Sequence, residues 1–154
     1  MYIERHIFPY ILRMKNQFKV LLITGSRQVG KSTLLKEKFF SDYEYVVLDD
    51  YTELDLAKND PSLFLKNHPI PLIIDEVQRV PELFLQLKYI ADKSSEKGKI
   101  ILTGSQSYKL LQNVSDSLAG RICLIDMSSL SMREIKNINF DLPFLPTTEY
   151  IETR

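Results

Sequence analysis

The chain has a single cysteine, Cys123, among its 154 residues. That excludes an internal disulfide, and a lone thiol in an apolar setting suits a reducing cytoplasm. No apolar stretch approaches the ~20 residues that a membrane-spanning helix requires, and the N-terminus lacks the charged, apolar, then small order of a signal peptide. These absences predict a cytoplasmic chain with no membrane partner. Net charge is also missing, since 20 lysines and arginines balance 20 aspartates and glutamates. Basic residues alternate with acidic ones, as between Lys93 and Lys99, so no face of one sign is offered to nucleic acid, and nucleic-acid binding is not indicated. His6 has no second ligand nearby and reads as a surface or capping residue. His68, Cys123 and the tyrosines read as core or surface and support neither a metal centre nor a nucleophile. There is no internal repeat, no low-complexity segment, and no Asn-Lys-x-Asp sequence of the kind that reads guanine, which argues against a GTPase.

What is present is more specific. With 44% apolar and 26% charged residues the chain has the composition of one ordinary globular domain. Its organising stretch is 18–40, where an apolar run containing Val20-Leu21-Leu22-Ile23 leads into Gly25-Ser26-Arg27-Gln28-Val29-Gly30-Lys31-Ser32 and then a helix-forming segment with Leu34, Leu35 and Phe39. Gly25, Gly30, Lys31 and Ser32 fit the spacing G-x-x-x-x-G-K-[ST], and the strand before and helix after supply the context that this phosphate-loop motif demands. The glycines allow a backbone that wraps a polyphosphate with its N–H groups inward. Lys31 would reach the β- and γ-phosphates, Ser32 would offer its hydroxyl to Mg²⁺, and the helix start adds its dipole. Residues Gly25 through Thr33 are therefore the candidate cradle for ATP.

Along the chain, residues 2–16 show roughly helical apolar spacing, with Pro9 near a helix start or breaking it. Tyr43–Asp49 reads as a second strand, followed by a helical stretch; Asp60-Pro61 reads as an N-cap and first-turn proline opening a helix through Lys66. Leu72-Ile73-Ile74 ending in Asp75-Glu76 predicts a buried parallel strand that delivers carboxylates to a ligand crevice. A helix follows from Val80-Pro81-Glu82, with Leu83, Leu87, Ile90 and Ala91 on one face. Lys99–Ser105 and Arg121–Ile125 are further strands, separated by a helix over 107–113 and a short helical turn over 115–120. Ser131-x-x-Glu134 has capping-box spacing. Residues 1–136 form the core in this reading, and 137–154 an irregular tail. Five strands alternating with helices predict a three-layer α/β sandwich with a mostly parallel sheet, whose carboxyl edge gathers the phosphate loop, Asp75-Glu76 and Thr103-Gly104-Ser105.

That convergence allows hydrolysis. Asp75 is placed to hold Mg²⁺, and Glu76 to orient or deprotonate a water for in-line attack on the γ-phosphate. Thr103, Ser105 or Gln106 could bond that phosphate, and spacing does not choose among them. Arg121, before the last strand, fits either a surface ion pair or a residue that spreads charge on the transferred phosphoryl group. Without turnover, the same residues would make a nucleotide-dependent interaction module; a small phosphoryl-transfer kinase is a third reading, though no arginine cluster holds an acceptor phosphate.

Gly-Ser-Arg-Gln-Val-Gly-Lys-Ser-Thr, Ile-Ile-Asp-Glu-Val-Gln-Arg-Val-Pro, Ile-Leu-Thr-Gly-Ser-Gln, Ser-Leu-Ala-Gly-Arg and Leu-Ser-Met-Arg-Glu occur in this order over about residues 5 to 135. The set resembles the bacterial and archaeal AAA-type ATPases that carry a C-terminal domain of uncharacterised role. The resemblance implies a P-loop core with strand order 5-1-4-3-2, Lys31 and Ser32 as phosphate and magnesium ligands, Asp75 as the magnesium acid, Glu76 as the base and Thr103-Gly104-Ser105 as the γ-phosphate sensor. It also implies that Arg121 is a finger supplied in trans by a second copy in a homo-oligomer. Members of that group continue into a helical lid and a long C-terminal domain, so the chain reads as an N-terminal fragment, with no position matching a lid arginine.

Overall fold

The computed structural model describes residues 2–105 and 108–138. Among them, five strands, β1 (Val20–Thr24), β2 (Glu44–Val47), β3 (Leu72–Asp75), β4 (Ile100–Thr103) and β5 (Ile122–Asp126), form a wholly parallel sheet in the order β2-β3-β4-β1-β5. Read from the other edge, this is the expected 5-1-4-3-2. The interior strand β1 pairs Leu22 with Leu102 on one side and with Leu124 on the other. All five of its residues are buried, which is why its sequence is a continuous apolar run rather than an alternating one.

Side-chain alternation along the strands divides the core into two halves. Val20, Leu22, Ile74 and Leu102 pack with helices α3 (Tyr51–Asn59), α4 (Pro61–Asn67), α5 (Leu83–Lys93) and α6 (Tyr108–Leu118). Leu21, Ile23, Ile73 and Ile101 pack on the other face with α1 (Phe8–Lys15) and α2 (Lys31–Phe39), through Ile11, Leu34, Leu35 and Phe39. Helix–sheet–helix layering follows directly from that division.

Local chemistry sets the ends of the elements. Asp60 accepts from Leu63 N at 2.8 Å with Pro61 in the first turn of α4, as the sequence predicts. Ser131 and Glu134 form a reciprocal capping box around α7 (Met132–Ile135). Pro9 sits in the first turn of α1, so the helix begins at Phe8 and the residues before it are not helical. The second strand is shorter than the predicted 43–49, because Leu48–Asp50 turns and Asp50 caps α3 through Thr52 N at 2.8 Å and Glu53 N at 3.3 Å. The two helical pieces expected at 107–113 and 115–120 are one helix, α6. Leu110, Val114 and Leu118, spaced by four, are all buried on one face, and that packing outweighs the polar residues between them. Ser107, where the first piece was expected to start, and the predicted tail from residue 139 onward lie outside the described residues.

Candidate nucleotide site

The loop after β1 bends as its glycines permit. Gly25 has φ 145°, and a Cβ there would lie 2.2 Å from the Met127 carbonyl oxygen, so only glycine fits between β1 and the chain leaving β5. Gly30, at φ 94°, is the N-cap of α2, and no side chain caps the helix, which leaves its first N–H groups directed at the loop. Lys31 is buried, and its ammonium arches back to donate to the carbonyls of Gly25 at 3.0 Å and Ser26 at 2.9 Å. From outside the loop, buried Arg5 donates to the Val29 carbonyl at 2.7 Å, to that of Ser128 at 2.7 Å and to Glu134 Oε1 at 3.1 Å. The loop is thus held from the N-terminal segment and from α7 as well as by its own residues.

At the end of β3, the Asp75 carboxylate is buried and accepts from two hydroxyls. Thr103 Oγ1 binds one oxygen, and the Tyr45 phenol donates to the other at 2.5 Å. The Ser32 hydroxyl lies near the Tyr45 phenol, so this one side chain stands between the start of α2 and the end of β3. Burial, then the bond to Asp75, drives the Tyr45 pKa far above that of a free phenol. Sequence reading left Tyr45 among core or surface tyrosines. Its place on the strand beside β3, in register with Ile73, is what brings it here, and the only available signal was a tyrosine on the neighbouring strand.

Glu76 follows with φ 63° and ψ 41°, a left-handed backbone that a side chain adopts only at some cost. Its N–H donates to Thr103 Oγ1 at 3.3 Å, which ties the turn to β4. The chain then enters a 3₁₀ turn, Val77–Arg79, from which Gln78 reaches back to the Glu76 carboxylate. Ser105, half-buried, accepts from Gln78 Nε2 at 3.2 Å, whereas Thr103 is fully buried and turned to Asp75. Gln106, the third sensor candidate, lies outside the described residues.

Arg27, Lys31, Ser32, Thr33, Glu76 and Arg79 line one cleft of about 690 Å³. Across the loop, Tyr2, Ile3, Val29 and Leu130 wall a second, more apolar pocket of about 460 Å³ that shares Gln28, Gly30 and Thr33 with the first. The predicted loop and acidic residues are therefore brought together. Arg121 is not brought to them. Its carbonyl accepts from Val20 N at the amino end of β1, so it stands a strand's length, about 16 Å, from the loop side. There its guanidinium pairs with Asp92 and donates to the Ala119 carbonyl at 2.9 Å. Neither histidine lines the cleft. The His6 N–H donates to Glu134 at 2.8 Å, and His68 lies between Glu44 at 2.5 Å and Glu53 at 2.9 Å. Cys123 is buried, which pushes its thiol pKa up.

A parallel sheet of this order, with a glycine loop opening into a helix after the interior strand β1 and an acidic pair closing β3, defines the class of P-loop nucleoside-triphosphate-binding proteins. Residues 17–136 match the family model described as AAA domain, and the chain belongs to that family. It is 35% identical over 124 residues to uncharacterised proteins of Mycobacterium tuberculosis and Mycobacterium bovis, a stretch that covers 80% of this chain. It spans 28% of the length of either relative. Membership in the family supports nucleotide binding and ATPase-type chemistry in general terms. No helix among the described residues is long and apolar enough to cross a membrane.

Proposed function

We propose that this chain binds Mg-ATP and hydrolyses it in the cytoplasm, the nucleotide cycle driving an attached region or a partner. The observation that carries this reading is the meeting of Lys31 and Ser32 with two carboxylates, Asp75 and Glu76, at one edge of the sheet. Lys31 and the uncapped start of α2 would take the β- and γ-phosphates, within the cradle of Gly25, Ser26, Arg27, Gln28, Val29, Gly30 and Thr33. Asp75 and Ser32 would hold Mg²⁺. One carboxylate and one hydroxyl suit this ion, which keeps several waters and phosphate oxygens, and the described residues contain no cluster of three or more His, Cys, Asp or Glu that would favour another metal. Bound there, the ion would neutralise charge on the phosphate oxygens.

Glu76 would orient a water and accept its proton as the water attacks the terminal phosphate. Ser105, after the end of β4, would hydrogen-bond around that phosphate and its water, while Thr103, the other predicted sensor, is buried against Asp75 and would hold the magnesium acid in place. The apolar pocket beside Tyr2 and Leu130 suits a nucleobase. Arg121 stands too far from its own loop to act there and is paired with Asp92, so as a finger it would have to leave that pair and serve a second copy, the complete site then belonging to a homo-oligomer. Residues 1–136 are the ATPase core in this reading, and 137–154 lead toward the attached region, in keeping with the greater length of the relatives.

Phosphate release from Mg-ATP, measured per chain across protein concentrations, tests the proposal. The expected result is a rate that climbs with concentration, an Arg121→Ala variant that loses the climb, and a Glu76→Gln variant that binds ATP but turns over at least ~100-fold more slowly. Wild-type turnover in Glu76→Gln would remove Glu76 as base. A rate at the buffer level in protein that binds ATP would replace the hydrolase with a nucleotide-dependent switch.

A further inference from the structure

Gln78 takes no part in the scheme above, yet its surroundings are unusual in three ways. Its side-chain nitrogen donates to two acceptors on different loops, Glu76 Oε2 and, at 3.2 Å, Ser105 Oγ. Its side-chain oxygen is buried and finds no hydrogen-bond partner among the described residues. That oxygen lies over Gly104, where a Cβ would approach it to 2.6 Å. Exchanging the amide's nitrogen and oxygen would set an oxygen against the Glu76 carboxylate, so chemistry supports the orientation with nitrogen on Glu76. A left-handed residue at 76 and an unsatisfied buried carbonyl at 78 each carry a cost, and both are met where one amide crosses from the loop after β3 to the loop after β4, over a Gly104 that has no Cβ to push the amide aside.

We propose that Gln78 is a positioning residue for hydrolysis, its amide fastening the Glu76 carboxylate to Ser105 so that the base is registered to the end of β4. The inference rests on the hydrolase reading above. Glutamate has three rotatable side-chain bonds, and a base is effective only when its carboxylate is held at hydrogen-bond reach of the attacking water. Gln78 lines the same cleft, and in this role its amide acts through the Glu76 carboxylate rather than on the phosphate itself. It also ties the base to the β4 end, where Ser105 would meet the terminal phosphate, so base and phosphate contact are set together.

Two variants separate this role from plain packing. Gln78→Glu keeps the shape and sets a carboxylate against Glu76; Gln78→Ala removes the tether. Both are expected to lower turnover at saturating Mg-ATP at least ~10-fold, and Gln78→Ala to do so while ADP affinity stays within about twofold. In a Glu76→Gln background, Gln78→Ala should slow turnover no further, because the group it positions is already disabled. Turnover of Gln78→Glu within about twofold of wild type, or an added loss in the double variant, overturns the proposal. If the wild-type chain binds ATP but releases no phosphate, the hydrolase reading fails by itself, and the tether is then decided by NMR. The Gln78 side-chain amide signal, identified by its loss in Gln78→Ala, should shift when Glu76 is changed to Gln; an unmoved signal overturns the link.

Discussion

Arg5 and Glu134 lie 129 positions apart in the chain and meet as an ion pair at 3.1 Å, with side chains only 7% and 6% exposed. Glu134 also accepts from Ser131 N at 2.7 Å and His6 N at 2.8 Å, so its charge is satisfied on several sides. Removing Arg5 leaves a buried carboxylate and frees the carbonyls of Val29 and Ser128. Arg5→Ala is therefore expected to lose about 3–5 kcal/mol of stability, read as a lower urea midpoint. A midpoint unchanged within error would show the pair to be dispensable.

The same carboxylate sets a limit in acid. Burial works to raise the Glu134 pKa, but the N–H groups of Ser131 and His6 together with the Arg5 guanidinium hold it down, from 4.5 to about 2. A carboxyl whose folded pKa lies below its unfolded one contributes stability that is complete above pH 4.5 and is lost as pH falls toward 2. Urea midpoints between those values should fall more steeply in the wild type than in Glu134→Gln. Parallel curves would sink the assignment.

His68 acts in the opposite sense. Burial disfavours its charged ring, yet the bonds to Glu44 and Glu53 outweigh burial and raise its pKa above 6.5. Its contribution is then complete below pH 6.5 and fades as pH climbs through the raised folded value. His68→Gln should flatten the decline in melting temperature as pH rises above 6.5. If the decline is the same in both proteins, the two glutamates do not stabilise the imidazolium.

Gly25→Ala should separate binding from folding. The added methyl would meet the Met127 carbonyl, and φ 145° is foreign to alanine, so the loop has to shift. Nucleotide affinity is expected to fall at least ~10-fold, against a stability loss of about 1–3 kcal/mol, because the strain falls on the loop rather than on the sheet. Isothermal titration with ADP beside a thermal melt would show whether the two effects part in this way.

Much of this was legible in the sequence, for reasons that differ by residue. A parallel sheet buries both faces of its strands, so Val20–Ile23 and Leu72–Ile74 announce themselves as unbroken apolar runs. The glycine loop was legible because backbone conformation restricts residue type there. Asp60-Pro61 and Ser131-x-x-Glu134 were legible because caps are local. What stayed hidden depends on contacts remote in sequence. Nothing near Arg5 in the chain signals Glu134, and Tyr45 and Gln78 gain their roles only when the sheet sets β2 beside β3 and the loop after β3 beside the end of β4. The continuity of α6 was missed because Asn113 and Asp116 interrupt what the buried face, read four residues at a time, does not.

The bond from Arg5 to the Val29 carbonyl bears on how small a working piece of this protein can be. The match to the family begins at residue 17, and by that measure everything before it is dispensable. The guanidinium makes the early segment a strut, standing outside the shared block and bearing on the loop at its centre. A piece cut at residue 17 would keep every motif and lose one of the loop's supports. Similarity marks the extent of common descent; mechanical self-sufficiency has a different border, and here it lies at least twelve residues further toward the N-terminus, at Arg5.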